Sequence, residues 1–349
     1  MTSFPINLES LVKEAFQPVG TVVSERKISG AVLGIVTRDG KRACHLDGFA
    51  QIIPKKEKLT RQHWFDLASL TKVLATTPAI LKLVEKRVID LDQPLTHAIP
   101  DLRQYEVSTA YERTLTFRDC LTHNTRLPAV EPIYTYGSDP NILRHFILQR
   151  KWETIKTPVY SDINFILLGI ALERLYACPL TELPQADGLS YHPPAHLAVA
   201  TENCAFRHRI LKGEVHDENA WALGGAAGHA GLFGTVDAVL DFAQSLMDGS
   251  AASKESLNAI RSISSNPKRT IGWECKFDNW AGGQACSDQT IGHTGFTGTG
   301  LWIDFEREIA WTLLTNRVHP TRFSHVPIQN IRRQTGDAII NEWDKIQTG

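Results

Sequence analysis

Two groups of hydrophobic strands stand near opposite ends of this 349-residue chain, and the long stretch between them favours helix. Near the start, Gly30–Thr37 (GAVLGIVT) and residues 42–49 read as strands joined at Asp39-Gly40, a dipeptide suited to the positive φ angles of a tight hairpin. Near the end, residues 270–276, 300–305 and 309–315 also read as strands, the last two connected by the charged turn Glu306-Arg307-Glu308. The economical architecture lets both chain ends share one sheet, with a helical insertion between them. It predicts an α/β domain with an antiparallel sheet from residues 1–60 and 235–349, and a mostly helical domain from residues 61–234. A cleft at their junction is where a site is expected.

Apolar residues favour helix over 8–23, 70–88, 141–148, 164–176, 236–247 and 328–346. Pro78 falls inside the second of these and predicts a local kink, because proline removes a backbone donor. Residues 182–196, with Pro184, Gly188, Pro193 and Pro194, read as a loop lining the cleft.

Lys plus Arg is 37 and Asp plus Glu is 38, a net charge of −1, so the chain has no global field with which to hold a polyanion and nucleic acid is not an expected partner. The first residues carry no signal-peptide pattern, and no apolar run approaches the roughly 20 residues that cross a bilayer. The six cysteines are scattered without zinc-finger or CxxC spacing, which suits reduced thiols in a cytoplasmic protein. Motifs for nucleotide phosphates, zinc peptidases and the GxSxG nucleophile are absent, so neither a cofactor nor a metal is expected.

Three short motifs carry the chemistry. In Ser69-Leu70-Thr71-Lys72, at the start of a helical pattern, residues three apart share a face, so an amine stands beside a hydroxyl. Alone, the tetrapeptide is common and reads as a serine near a helix start with a solvated lysine. Tyr160 precedes Ser161, Asp162, Ile163 and Asn164 at the head of another helix; a phenol near a lysine can ionise below its usual value of about 10 and act as a base. Its plain reading is a packed aromatic. His293-Thr294-Gly295 lies in a glycine-rich strand-like stretch where small residues let a ligand approach the backbone.

In this order the motifs resemble the serine β-lactamase and penicillin-binding-protein superfamily, in particular its class C-like branch of serine hydrolases. Phe65 to Lys72 (FDLASLTK), Tyr160 to Asn164 (YSDIN) and His293 to Gly295 (HTG) carry the likeness, supported by 115–128 and 228–235. The resemblance implies an α+β fold, β-lactamase-like, with an antiparallel sheet flanked by terminal helices and a mostly helical domain. It implies acyl transfer: Ser69 as nucleophile, Lys72 and Tyr160 removing its proton, and the backbone N–H groups of Ser69 and Phe296 as an oxyanion hole. Asp162 and Asn164 would orient Lys72 or hold a substrate amide, and His293, Thr294 and Gly295 would line the substrate.

The departures narrow the substrate. His293 stands where penicillin-recognising members carry lysine, and as a group with an ordinary value near 6.5 it is expected to be partly protonated and to shape the pH profile. Asp162 stands where asparagine is common, and Arg126 departs from the family's loop pattern. Residues 215–220 with Gly228-His229 resemble muropeptide amidase and carboxypeptidase-like members, so the expected partner is a small molecule, a peptidoglycan-derived muropeptide cleaved at an amide. Short acyl esters are the alternative substrate, and a non-catalytic muropeptide or β-lactam sensor the alternative class. His216, Asp217 and His229 read as loop hydrogen-bonding residues before metal ligands. Oligomeric state is not encoded in these patterns.

Overall fold

The computed structural model describes residues 7–348. Its main sheet has seven strands, all antiparallel, in the order Glu57–Lys58, Arg42–Gln51, Gly30–Thr37, Ile309–Thr315, Gly300–Asp304, Ile291–Thr294 and Glu274–Cys275. Strands from the two flanks of the chain meet at its centre, where Ala31 pairs with Thr315 and Thr37 with Ile309. Gly30–Thr37 is buried along its whole length because both of its faces are covered. Val32 and Val36 point into one core with Leu301, Ile303 and helix Val236–Asp248, whereas Ala31, Leu33 and Ile35 join Trp302, Trp311 and the terminal helices in another. This alternation follows from the two-residue period of a strand. At Gly34 a Cβ would stand 2.8 Å from Val236 and 2.9 Å from Leu240, so glycine is what lets that helix lie against the sheet.

The fold is α+β and β-lactamase-like, with several local departures from the sequence expectation. The opening helix is two, Leu8–Ala15 and Gln17–Ser24, with Pro18 in the first turn of the second, where its missing N–H costs nothing. The strand expected over 270–276 shrinks to Glu274–Cys275, preceded by an irregular segment. The helix expected over 70–88 is instead a 3₁₀ turn Ala68–Leu70, a π-helical turn Lys72–Thr76 and an α-helix Thr77–Glu85. Pro78 accounts for the wide turn. It cannot donate to the carbonyl four residues back and its ring would crowd it, so the ladder shifts to a Thr77 N–H to Lys72 O bond and Pro78 starts the α-helix.

The loop 182–196 lines a cavity between residues of 61–234 and 235–349, apart from Ser69. Leu183, Pro184, Gln185 and Tyr191 line an apolar cavity of about 590 Å³ with Val73, Thr77, Phe242 and Trp273, a set that includes none of Ser69, Tyr160 and His293. All six cysteines are free. No helix among the described residues is long and apolar enough to cross a membrane.

Candidate active site

Ser69 lies in the 3₁₀ turn after the short strand Phe65–Asp66, and it remains partly exposed. Ala68 before it has φ of 48°, a left-handed conformation that costs a non-glycine residue on the order of 1–3 kcal/mol. Several bonds hold it there. Asp66 accepts from the Ala68 N–H at 2.8 Å and, through its other oxygen, from the His216 N–H at 2.6 Å, while the Thr71 hydroxyl donates to the Ala68 carbonyl at 2.6 Å. Burial pushes the Asp66 carboxyl up and the two N–H donors pull it back.

Lys72 is fully buried at the head of the π turn. Its ammonium donates to Ser69 Oγ at 3.0 Å, Asp162 Oδ1 at 2.8 Å and the His229 carbonyl at 3.2 Å. The carbonyl reaches it because Gly228 packs on helix Asp162–Tyr176 at Gly169, where any Cβ on Gly228 would run into the Phe165 carbonyl. The segment is also pinned by the Thr76 hydroxyl donating to the Gly228 carbonyl at 2.7 Å. Burial disfavours the lysine charge, but Asp162 and Tyr160 outweigh it, so the ammonium is held above its usual range. A neutral lysine, the form expected of a simple base, is therefore not the resting state.

Tyr160 stands against both groups. Lys72 Nζ lies 4.9 Å from the centre of its ring. The expectation that Lys72 would bring the phenol below its usual value is not met: burial raises it, the Asp162 carboxylate raises it further, and Lys72 only offsets part of the rise. His123 packs on the same ring, centroids 4.6 Å apart.

The strand Ile291–Thr294 brings the third motif to the same place. Gly292 is required where the Trp302 indole crosses the strand, and a Cβ on Gly295 would enter the Leu67 carbonyl at 2.6 Å and Ala68 at 3.2 Å, so the strand end rests directly on the Ser69 turn. Thr297 and Thr299 donate to the carbonyls of Asp66 and Leu67 at 2.7 and 3.0 Å, and the buried Arg332 clasps the carbonyls of Gly295 and Thr299, each at 2.7 Å. Phe296, next in the chain, is 53% exposed at the mouth.

His293 behaves differently from its sequence reading. It is buried, and burial together with the charges of Lys72 and Arg269 pushes it well below its ordinary 6.5, so it is neutral at physiological pH. Its Nδ1 donates to the Thr294 carbonyl at 3.0 Å, which leaves Nε2 as an unpartnered acceptor.

Asn164 is fully buried and serves its own loop: its Oδ1 accepts from Thr125 at 2.5 Å and its Nδ2 reaches His123 Nδ1 at 3.2 Å. Its carboxamide thus faces neither Lys72 nor the mouth. Arg126 is exposed on the surface. His216 contacts Glu202 at 3.0 Å and His229 contacts Asp217 at 2.9 Å, and among the described residues no group of three or more His, Cys, Asp or Glu is arranged to hold a metal ion. Sequence patterns did not point to the His229 carbonyl, the cap on Ala68 from Asp66, or Arg269, whose guanidinium carbon lies 5.1 Å from the centre of the Tyr160 ring.

The chain is 28% identical over 345 residues to the N-acetylmuramyl-L-alanine amidase of Bacillus subtilis (strain 168), covering 83% of this chain and 77% of that one. It is 29% identical over 309 residues to a putative D-alanyl-D-alanine carboxypeptidase of Salmonella agona (strain SL483), covering 74% and 71%. The crystal structure of a beta-lactamase from Sulfitobacter sp. EE-36 superposes with a TM-score of 0.73 at 17% identity, over 99% of this chain and 100% of that one. With the Beta-lactamase family model matching residues 9–335, the chain belongs to the beta-lactamase family, among the hydrolases of the serine β-lactamase and penicillin-binding-protein superfamily.

Proposed function

We propose that the protein hydrolyses an amide bond of a peptidoglycan-derived muropeptide through an acyl-enzyme on Ser69. The observation that carries this reading is the contact of Lys72 Nζ with Ser69 Oγ at 3.0 Å, with the same ammonium 4.9 Å from the centre of the Tyr160 ring. In the form of the unit that has first released the Tyr160 phenol proton to solvent, Ser69 Oγ attacks the carbonyl carbon, its proton passes to the phenolate oxygen beside Lys72, and the same proton is returned to the leaving nitrogen. The N–H groups of Ser69 and Phe296 receive the oxyanion, a contribution of about 3–4 kcal/mol in such sites. Water then attacks the acyl ester and restores the serine.

The amide preference is supported by the relatives named for muramyl-alanine amidase and D-alanyl-D-alanine carboxypeptidase activities. A neutral, buried His293 supplies no fixed cation where penicillin-recognising members carry lysine, which disfavours tight capture of a penicillin carboxylate. Six free cysteines suit a reducing compartment, and the reading extends to a cytoplasmic enzyme.

The test is a product assay on muropeptides, p-nitrophenyl acetate and a penicillin, with Ser69→Ala as control. Muropeptide turnover that the variant loses by at least about 10³-fold is expected. Turnover of the ester alone points to an esterase, a stable Ser69 adduct without turnover of any substrate points to a sensor, and no adduct on Ser69 rejects the acyl-enzyme.

A further inference from the structure

Lys72 is neutralised by Asp162 at 2.8 Å, and His293 adds no charge. A second cation nevertheless reaches Tyr160. Arg269, on the irregular segment before Glu274–Cys275, holds its guanidinium carbon 5.1 Å from the centre of the phenol ring, comparable to the 4.9 Å of Lys72 Nζ. Its side chain is 11% exposed, one nitrogen pairs with Glu274 Oε1 at 3.1 Å, and Nη1 is buried without a partner. An incompletely bonded guanidinium is costly to bury, and contact with an aromatic face recovers part of that cost. The attraction grows when the ring carries negative charge.

We infer that Arg269 is a positioning residue for proton transfer at Ser69, which favours the Tyr160 phenolate and supplies the fixed positive charge that His293 lacks. The inference rests on the Ser69 acyl-enzyme reading. The groups facing Tyr160 are Ser69 and Lys72 on the nucleophile segment, Asp162 on its own helix, His123 from the preceding loop, His293 at 5.9 Å between centroids on the sheet edge, and Arg269 with Glu274. Both histidines are held neutral by burial and by nearby cations, and Asp162 opposes Lys72, so Arg269 is the cation whose removal changes the field at the phenol most simply. In acylation the Ser69 O–H bond breaks as the bond from Oγ to the carbonyl carbon forms. The proton goes to the phenolate oxygen and leaves later on the departing nitrogen.

The experiment uses the full chain as wild type, Arg269→Gln, Arg269→Lys and Glu274→Gln. Each is reacted with a fluorophosphonate between about pH 6 and 10. The serine oxygen displaces fluoride from phosphorus, and intact mass reads the adduct against Ser69→Ala. In Arg269→Gln the acid limb of the rate profile moves up by about one pH unit, so the rate below it falls about tenfold. Arg269→Lys keeps most of the wild-type limb, and Glu274→Gln, which leaves the guanidinium uncompensated, moves it down. Coincident rates in wild type and Arg269→Gln, or an equal loss in Arg269→Gln and the charge-conserving Arg269→Lys, overturn the inference while leaving the Ser69 reading intact. Should Arg269→Gln fail to fold, an unshifted limb in Glu274→Gln overturns it instead. No adduct on wild-type Ser69 at any pH removes both.

Discussion

Lys72 and Asp162 form an ion pair, Nζ to Oδ1 2.8 Å, inside the same cluster in which the ammonium touches Ser69 Oγ at 3.0 Å. The carboxylate is 18% exposed and the lysine fully buried, so the charge of Lys72 depends on Asp162 more than on solvent. This single contact fixes the resting proton inventory of the site: a protonated lysine beside a neutral phenol.

Replacing the carboxylate tests that inventory. Asp162→Asn keeps an acceptor for the ammonium but removes the charge that raises it, so the acid limb of kcat/KM moves down by about a unit or more. Because the folded value of Lys72 is raised, its stabilising contribution is complete below pH 10.5 and is lost only as pH rises through that higher value. The variant is therefore less stable at neutral pH, by about 3–5 kcal/mol, and the difference closes in strong alkali. Denaturant melts at pH 7 and at rising pH beyond 10.5 check the second part; an unmoved rate limb contradicts the first.

The pH profile of the wild type follows from the same groups. With Tyr160 and Lys72 both raised and His293 lowered well below 6.5, kcat/KM rises through neutrality by up to about tenfold per pH unit, with no inflection near 6.5. His293→Lys places an ammonium near the phenol, shifts the limb down and speeds acylation by penicillin. Stopped-time mass spectrometry of the penicillin adduct reads both effects.

Acid should destabilise the fold through its buried histidines. His123 and His293 are pushed well below 6.5 by burial and by the charges of Lys72 and Arg269, and burial lowers His319 to about 4. Each is neutral when folded and takes up a proton on unfolding, so stability falls as pH drops below 6.5, by up to about 1.4 kcal/mol per unit for each group until its folded value is reached. Urea midpoints at pH 7, 6 and 5 measure this. A constant midpoint would show the rings to be charged or exposed.

Backbone approach at Gly228 is a separate requirement. Gly228→Ala drives a methyl into the Phe165 carbonyl and displaces the segment that presents the His229 carbonyl to Lys72. We expect a loss of about 1–3 kcal/mol in stability and slower labelling of Ser69 at every pH, with the limb itself little changed. Thermal melts and the fluorophosphonate rate read the two effects separately.

Much of the fold was legible because its signals are local. The hairpin at Asp39-Gly40, the continuous apolar run Gly30–Thr37 and the helical spacing of Val236–Asp248 each depend on residues close in sequence. Ser69 and Lys72 were legible for the same reason, being three residues apart. The break between Leu8–Ala15 and Gln17–Ser24, and the π turn ahead of Pro78, were less so, because hydrophobic spacing tolerates a change of helix type that only the backbone ladder reveals.

The amino-acid sequence by itself determined which chemical groups are available and in what order they occur: a hydroxyl and an amine on one turn, a phenol ahead of a helix, a histidine on a glycine-rich strand. Tertiary structure decided their ionisation and company. Asp162 meets Lys72 across 90 residues, and Arg269 comes to Tyr160 from a segment with no motif of its own. Burial keeps His293 neutral where its type alone suggested a titrating group. The physical reason is that a charge responds to dielectric and to neighbours within a few ångströms, and these are set by which distant segments pack together.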